Sequence, residues 1–154
     1  MTELFRTDSS NGDFGLLVDQ LNGYLAVING EQHGFYSQFN QVDSIPNVVV
    51  AYVDDLAVGC GAFRILETER VEIKRMFVSS THRGQGIAQR VLCNLENWAV
   101  EIGATHAFLE TSKRMLPAVS LYRKSGYTVI PNYGPYVDIE DSVCMGKALC
   151  SLVT

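Results

Sequence analysis

Val71 to Ile102 constrains this chain more than any other stretch. A strand-like run, Val71-Glu72-Ile73-Lys74-Arg75-Met76-Phe77-Val78, passes through Ser79-Ser80-Thr81-His82-Arg83-Gly84-Gln85-Gly86 into an amphipathic helical pattern. Ile87, Val91, Leu92, Leu95, Trp98, Ala99 and Ile102 trace one helical face, and Gly103 suits a left-handed C-terminal cap. A strand that feeds a glycine-rich turn directly into a helix start makes an anion cradle. Gly84 and Gly86 let the backbone approach a ligand, successive N–H groups point at it, and the helix dipole stands behind them. Arg83 adds a fixed charge with a fork of donors. Glycine pairs also serve plain tight turns, but placement between strand and helix favours the cradle. The familiar nucleotide motifs fit worse: there is no G-x-x-x-x-G-K-[ST], and G-x-G-x-x-G would need glycine where Gln89 stands.

The flanks show what this unit is built into. A first strand is expected near Glu3 to Thr7, then turn residues Asp8 to Gly12. Phe14, Leu17, Val18, Leu21, Tyr24 and Leu25 predict a helix from Asp13 to Val27, despite Gly15 and Gly23. The aromatic segment His33 to Asn40 reads as a helical turn or an ordered loop. Asn47 to Val53 and Leu56 to Leu66 form a hairpin across Asp54-Asp55, with Val71 to Val78 as the third strand of a meander. After the long helix come a strand from Thr105 to Thr111, a helix from Pro117 to Ser125 and a strand from Gly126 to Ile130. The loop Pro131 to Ser142 and a last strand, Val143 to Leu149, complete the chain. This order predicts a mixed α/β sheet covered by helices on both faces.

With 154 residues, 47% of them hydrophobic, and no compositional break, residues 1–154 are expected to form one domain. Twelve basic against seventeen acidic residues give a net charge of −5, which argues against polyanion binding and so against nucleic acid as a partner. Cys60, Cys93, Cys144 and Cys150 lack a C-x-x-C pair, so reduced, buried thiols are expected rather than disulfides or a structural metal. Met1 to Arg6 has no signal-peptide core and no run of apolar residues is long enough to span a bilayer, so a cytoplasmic protein with no membrane partner is expected.

Three motifs in order carry a resemblance. Arg83-Gly84-Gln85-Gly86-Ile87-Ala88 fits an R/Q-x-x-G-x-G/A pattern with Arg83, Gly86 and Ala88 on the defining positions; the strand Glu72 to Val78 precedes it; and Leu121-Tyr122-Arg123-Lys124-Ser125-Gly126-Tyr127 matches L-Y-x-x-x-G-F/Y downstream. Together they cover Val71 to Val129 and resemble the GCN5-related N-acetyltransferase (GNAT) family, enzymes that move an acetyl group from acetyl-CoA to an amine. The resemblance implies the acyl-CoA N-acyltransferase fold: a mixed, mostly antiparallel central sheet of six to seven strands flanked by helices on both faces. It further implies acetyl-CoA as co-substrate, no metal, and transfer to a primary amine of a small molecule or peptide by direct attack in a ternary complex. Coenzyme A pyrophosphate would rest on the backbone of Arg83, Gly84, Gln85, Gly86, Ile87 and Ala88, while pantetheine pairs like an extra strand with Met76 and Val78. A bulge would splay that strand from the Thr105 strand, leaving the amide of Phe77 or Val78 to polarise the thioester carbonyl. Family members often carry Asn or Gln seven residues before the motif tyrosine; here the position is Met115, leaving Ser112, Lys113 or Arg114 to supply that contact. The resemblance leaves room for a homodimer.

The residues leave several roles open. Tyr122 is the candidate general acid by resemblance, or else a core tyrosine with a satisfied hydroxyl. Glu72, a carboxylate in a strand that otherwise reads as central, is the first candidate for the base; alternatively it pairs with Lys74 or Arg75. Glu110 is the second candidate, or an ordinary polar strand end. His33, Tyr36, Glu110 and Tyr133 are candidates for the acceptor side, with Phe35, Phe39 and Tyr136 as walls or loop anchors. His82 belongs to the turn beside Arg83, and His106 starts a strand. Two further readings compete: a non-catalytic acyl-CoA-binding or sensing module, which Met115 favours and Tyr122 opposes, and a protein-tail acetyltransferase with an acidic groove from Glu67, Glu69, Asp138, Glu140 and Asp141.

Overall fold

Paired aspartates make the first hairpin. Asp54 and Asp55 both adopt left-handed backbone (φ 50° and 67°), which this residue type tolerates and which matches strand twist. In the computed structural model, residues 1–29 and 44–150 are described; His33, Phe35, Tyr36 and Phe39 lie outside them. The elements are β1 (Thr2–Thr7), α1 (Gly12–Asn29), β2 (Asn47–Val53), β3 (Leu56–Glu67), β4 (Arg70–Val78), α2 (Ile87–Glu101), β5 (His106–Ser112), α3 (Leu116–Lys124), β6 (Thr128–Ile130) and β7 (Ser142–Ala148). The sheet runs β1-β2-β3-β4-β5-β7-β6, and only β4 and β5 are parallel. A parallel pair needs a crossover, and α2 is that crossover. No helix of the described residues is long and apolar enough to cross a membrane.

Strand alternation divides the core. Phe14, Leu17, Val18 and Leu21 of α1 pack with Val48, Val50, Cys60 and Ala62 on one face. Ile87, Val91, Leu92 and Leu95 of α2 pack with Val49, Ala51, Phe63 and Ile73 on the other. This is the predicted mixed, mostly antiparallel sheet with helices on both faces.

The register of β3 against β4 slips between Cys60 and Ala62, so that Arg75 and Met76 oppose the single residue Gly61. Arg75 takes a left-handed backbone (φ 60°), and its carbonyl accepts the Cys60 thiol at 3.3 Å. That is a β-bulge, and it bends β4. Pairing of β4 with β5 covers only Arg70 to Glu72 against His106 to Phe108; beyond it the two strands part. Gly61 leaves the room: a Cβ there would sit 2.8 Å from Leu95 Cδ1 and 2.9 Å from Val91 Cγ1, and on the Met76 sulfur. Gly61→Ala is therefore expected to cost about 1–3 kcal/mol of unfolding free energy, read as a lower urea midpoint with unchanged slope.

Two expectations are corrected. The strand after α3 begins at Thr128 rather than Gly126, because Gly126 is left-handed (φ 96°) and Tyr127 turns inward to donate its hydroxyl to Glu96 at 2.9 Å. Cys93 and Cys150 are exposed; only Cys60 and Cys144 are buried thiols. In Cys60, burial pushes the pKa up to about 12, so it stays an unreactive thiol.

Candidate active site

Where β4 leaves β5, its backbone has an unpaired edge. The Ser79 amide donates to the Val58 carbonyl at 2.8 Å, and Phe77 stands opposite Cys60 two residues away in the same register. Antiparallel alternation therefore turns Phe77 toward β3. Its two peptide neighbours, the Met76 carbonyl and the Val78 amide, point toward the side that β5 vacates. Of the two amides proposed to polarise a carbonyl, Val78 thus faces the opening and Phe77 does not. Arg83 Nε bonds the Val78 carbonyl at 2.9 Å, which confirms the direction of that edge.

The glycine loop sits at the end of this edge. Gly84 and Gly86 are both left-handed (φ 78°), and a Cβ on either would meet open space, so glycine serves the backbone conformation and leaves the approach clear. Gly86 caps α2, whose first turn carries no acidic side chain. No capping side chain meets the first N–H groups of this helix. Arg83 lies back across the rings of Tyr24 (4.9 Å) and Phe77 (5.6 Å), bracing the loop against α1 and β4. Gly86→Val, which combines left-handed strain with a side chain over the cradle, is expected to raise KM for acetyl-CoA more than it lowers kcat; steady-state kinetics at varied acetyl-CoA reads the split.

Leu21 and Leu25 of α1, Ile73 to Met76 of β4, Glu110 to Ser112 of β5, and Met115, Ala118 and Tyr122 line the cleft between the splayed strands. Pro117 opens α3 and directs its face here. The Tyr122 ring is buried and packs edge-on against Tyr127 at 5.9 Å, while its hydroxyl makes no hydrogen bond within the described residues. Burial and, after it, the Glu110 charge raise the phenol above its ordinary pKa, so Tyr122 holds its proton near neutral pH. Glu110 accepts a hydrogen bond from the buried Ser142 hydroxyl. Desolvation lifts its carboxyl above the usual range, opposed by Ser142; Glu72 lifts it further and Lys74 opposes.

Glu72 is engaged differently. It is buried, and its Oε1 accepts Arg64 Nε at 2.8 Å with Lys74 Nζ at 3.7 Å, while Oε2 accepts the Tyr133 hydroxyl at 2.6 Å. Lys74 is one of the two partners foreseen; Arg64 was not. Tyr133 packs edge-on against Phe108 and Tyr136, so it reaches the site through Glu72. Met76, Phe77 and Val78 thus lie on the cleft strand, Arg83 to Ala88 on the loop, and Tyr122 and Glu110 inside, whereas His33 and Tyr36 fall outside the described residues. Sequence reasoning missed Arg64 and Ser142. Arg64 stands directly opposite Glu72 in the β3–β4 hairpin, so counting pairs back from the turn at Glu69 points to it. Ser142 meets Glu110 only through sheet order, which no local signal carries.

A sheet splayed at a bulge, with an open strand edge leading to a glycine cradle at a helix start, defines an acyl-transferase of the acyl-CoA N-acyltransferase fold. The chain belongs to the acetyltransferase (GNAT) family, whose model matches residues 18–127. Among curated relatives, the IAA acetyltransferase of Azospirillum brasilense is 33% identical over 136 residues, 86% of this chain and 88% of that one. A Klebsiella pneumoniae structure described as an acyl-CoA N-acyltransferase superposes with a TM-score of 0.82 at 25% identity, covering 97% of this chain and 99% of that one. The PaiA N-acetyltransferase of Thermoplasma acidophilum, solved with coenzyme A, shares the fold at 16% identity (TM-score 0.69, 96% and 99% coverage). The protein is an N-acetyltransferase.

Proposed function

We propose that residues 1–154 form one catalytic domain that uses acetyl-CoA to acetylate a primary amine of a small molecule or peptide, by direct attack in a ternary complex. The observation that carries this reading is that Met76, where β4 has left β5, lines one cleft with the Tyr122 phenol and the Glu110 carboxyl. The coenzyme A in the Thermoplasma neighbour supports the choice of cofactor. Backbone N–H groups from Gly84 to Ala88 would hold its pyrophosphate, and Met76 and Val78 its pantetheine amides. Bound acetyl-CoA supplies the thioester acyl group.

The chain's own groups then do the rest. An alkylamine has a reference pKa of about 10.4, so it must lose a proton to attack near neutral pH. Glu110 takes that proton. Its raised pKa brings it nearer the working range of a base, and only one of its oxygens is held by Ser142. Glu72, bonded through both oxygens, orients Arg64, Lys74 and Tyr133 instead. The Val78 amide draws charge from the thioester carbonyl as the C–N bond forms. As the C–S bond breaks, Tyr122 gives its proton to the departing sulfur, and the extra proton shed by the newly acylated nitrogen restores the phenol.

Thiol release from acetyl-CoA against a panel of polyamines, aminoglycosides, amino acids and peptide N-termini tests the reading. Acceptor-dependent release supports it. The alternative, a non-catalytic acyl-CoA sensor, rests on Met115 lining the cleft where the family often has an amide, and it expects binding with no release.

A further inference from the structure

The loop that leads into β7 reaches both carboxylates of the site. Tyr133 donates to Glu72, and Ser142, the first residue of β7, donates to Glu110. Asn132 holds this loop to itself: its Nδ2 donates to the carbonyls of Tyr136 at 3.1 Å and Ser142 at 3.2 Å. The Ser142 amide in turn donates to the Ile139 carbonyl at 3.1 Å, and the Lys113 amide ties the end of the loop to β5 through the Asp141 carbonyl at 2.7 Å. Strand register then aims the side chain. Glu110 stands opposite Cys144 and Ser142 opposite Ser112, so Glu110 and Ser142 are diagonal neighbours on one face of the sheet. Ser142 is buried, only 2% exposed, and its hydroxyl is given to Glu110 Oε2. A serine has one O–H donor, so a side chain held by its backbone in this way serves one oxygen atom of the carboxyl.

We propose, building on the reading of Glu110 as the base, that Ser142 is its positioning residue: the hydroxyl fixes Oε2 and turns Oε1 toward the acceptor amine. A donor bound to a carboxylate also favours the ionised form. Desolvation disfavours that form at Glu110 and Ser142 opposes it, with smaller contributions of opposite sign from Glu72 and Lys74. Ser142 thereby extends toward lower pH the range in which Glu110 can accept a proton. Among the described residues, the other titratable and charged groups that face Glu110 are Glu72, Lys74 and Arg75 from β4, Tyr122 from α3, Tyr136 from the loop and Cys144 from β7. All of them are retained in Ser142→Ala, as are the main-chain bonds of the loop, so the variant reads the hydroxyl.

The test titrates the wild type, Ser142→Ala and Ser142→Thr in two ways. The first needs no turnover: an NMR titration of the carboxyl carbons, with the Glu110 signal assigned by its loss in Glu110→Gln. Its midpoint should rise by about one pH unit in Ser142→Ala and return toward the wild-type value in Ser142→Thr, which keeps the hydroxyl. The second is thiol release at saturating acetyl-CoA across pH. The acid limb of kcat/KM should move to higher pH by the same amount in Ser142→Ala and move back in Ser142→Thr, a pattern that general loss of stability does not produce. A Glu110 midpoint unmoved in Ser142→Ala would overturn the positioning role and leave Glu110 standing as the base. A midpoint that rises beneath an unmoved acid limb would overturn Glu110 as the base, and with it the part of Ser142 in catalysis.

Discussion

Tyr122→Phe is expected to lower kcat by about 10²–10⁴-fold while leaving acetyl-CoA affinity and melting temperature in place. The reasoning is local. The hydroxyl has no hydrogen-bond partner within the described residues, so removing it strands no buried donor or acceptor and leaves the ring packed on Tyr127. What disappears is a proton held inside the cleft by a phenol that burial keeps un-ionised. A core tyrosine with a structural hydroxyl would give the reverse pattern: lost stability and unchanged turnover. Cofactor affinity by calorimetry, melting temperature and thiol release on one preparation separate the two.

Glu110→Gln is the second large effect, with kcat/KM expected to fall about 10²–10⁴-fold at neutral pH. Its sharper signature is the pH profile. Burial raises the Glu110 pKa, so as pH falls through that raised value the carboxyl takes up a proton and can no longer accept one from the amine. Activity in the wild type should therefore drop on the acid side at a pH above the usual carboxylate range. Glutamine cannot titrate, so that limb should vanish in the variant, leaving a low and flatter rate. If Glu72 were the base instead, Glu110→Gln would keep the limb.

Much of this was legible in the sequence because its signals are local. The strand, glycine turn and helix around Gly84 and Gly86 are written in periodicity and in two residues free to adopt left-handed backbone. The Asp54-Asp55 hairpin and Pro117 at the start of α3 are of the same kind. The motif tyrosine could be singled out by resemblance, but its free hydroxyl could not. What escaped depends on pairing between distant segments. The bulge at Arg75 appears only when β3 is laid against β4, and the register beyond it turns the Val78 amide, not that of Phe77, away from β3. Glu72 stands out in the sequence because a carboxylate in a central strand needs a reason. Arg64 across the hairpin and Tyr133 from the loop before β7 supply one, while desolvation raises the pKa of the Glu110 carboxyl. Tyr127 continues the strand-like run of Thr128 to Ile130 in sequence, but its partner Glu96 lies on α2, out of reach of any local pattern.

The central claim is that one cleft carries cofactor edge, base and acid together. Its most direct test is acceptor-dependent thiol release measured across pH for the wild type, Tyr122→Phe and Glu110→Gln, with acetyl-CoA binding measured on each. The account predicts intact binding in all three, a collapsed rate in Tyr122→Phe and a missing acid limb in Glu110→Gln. Wild-type rates and an unaltered pH profile in both variants would contradict it.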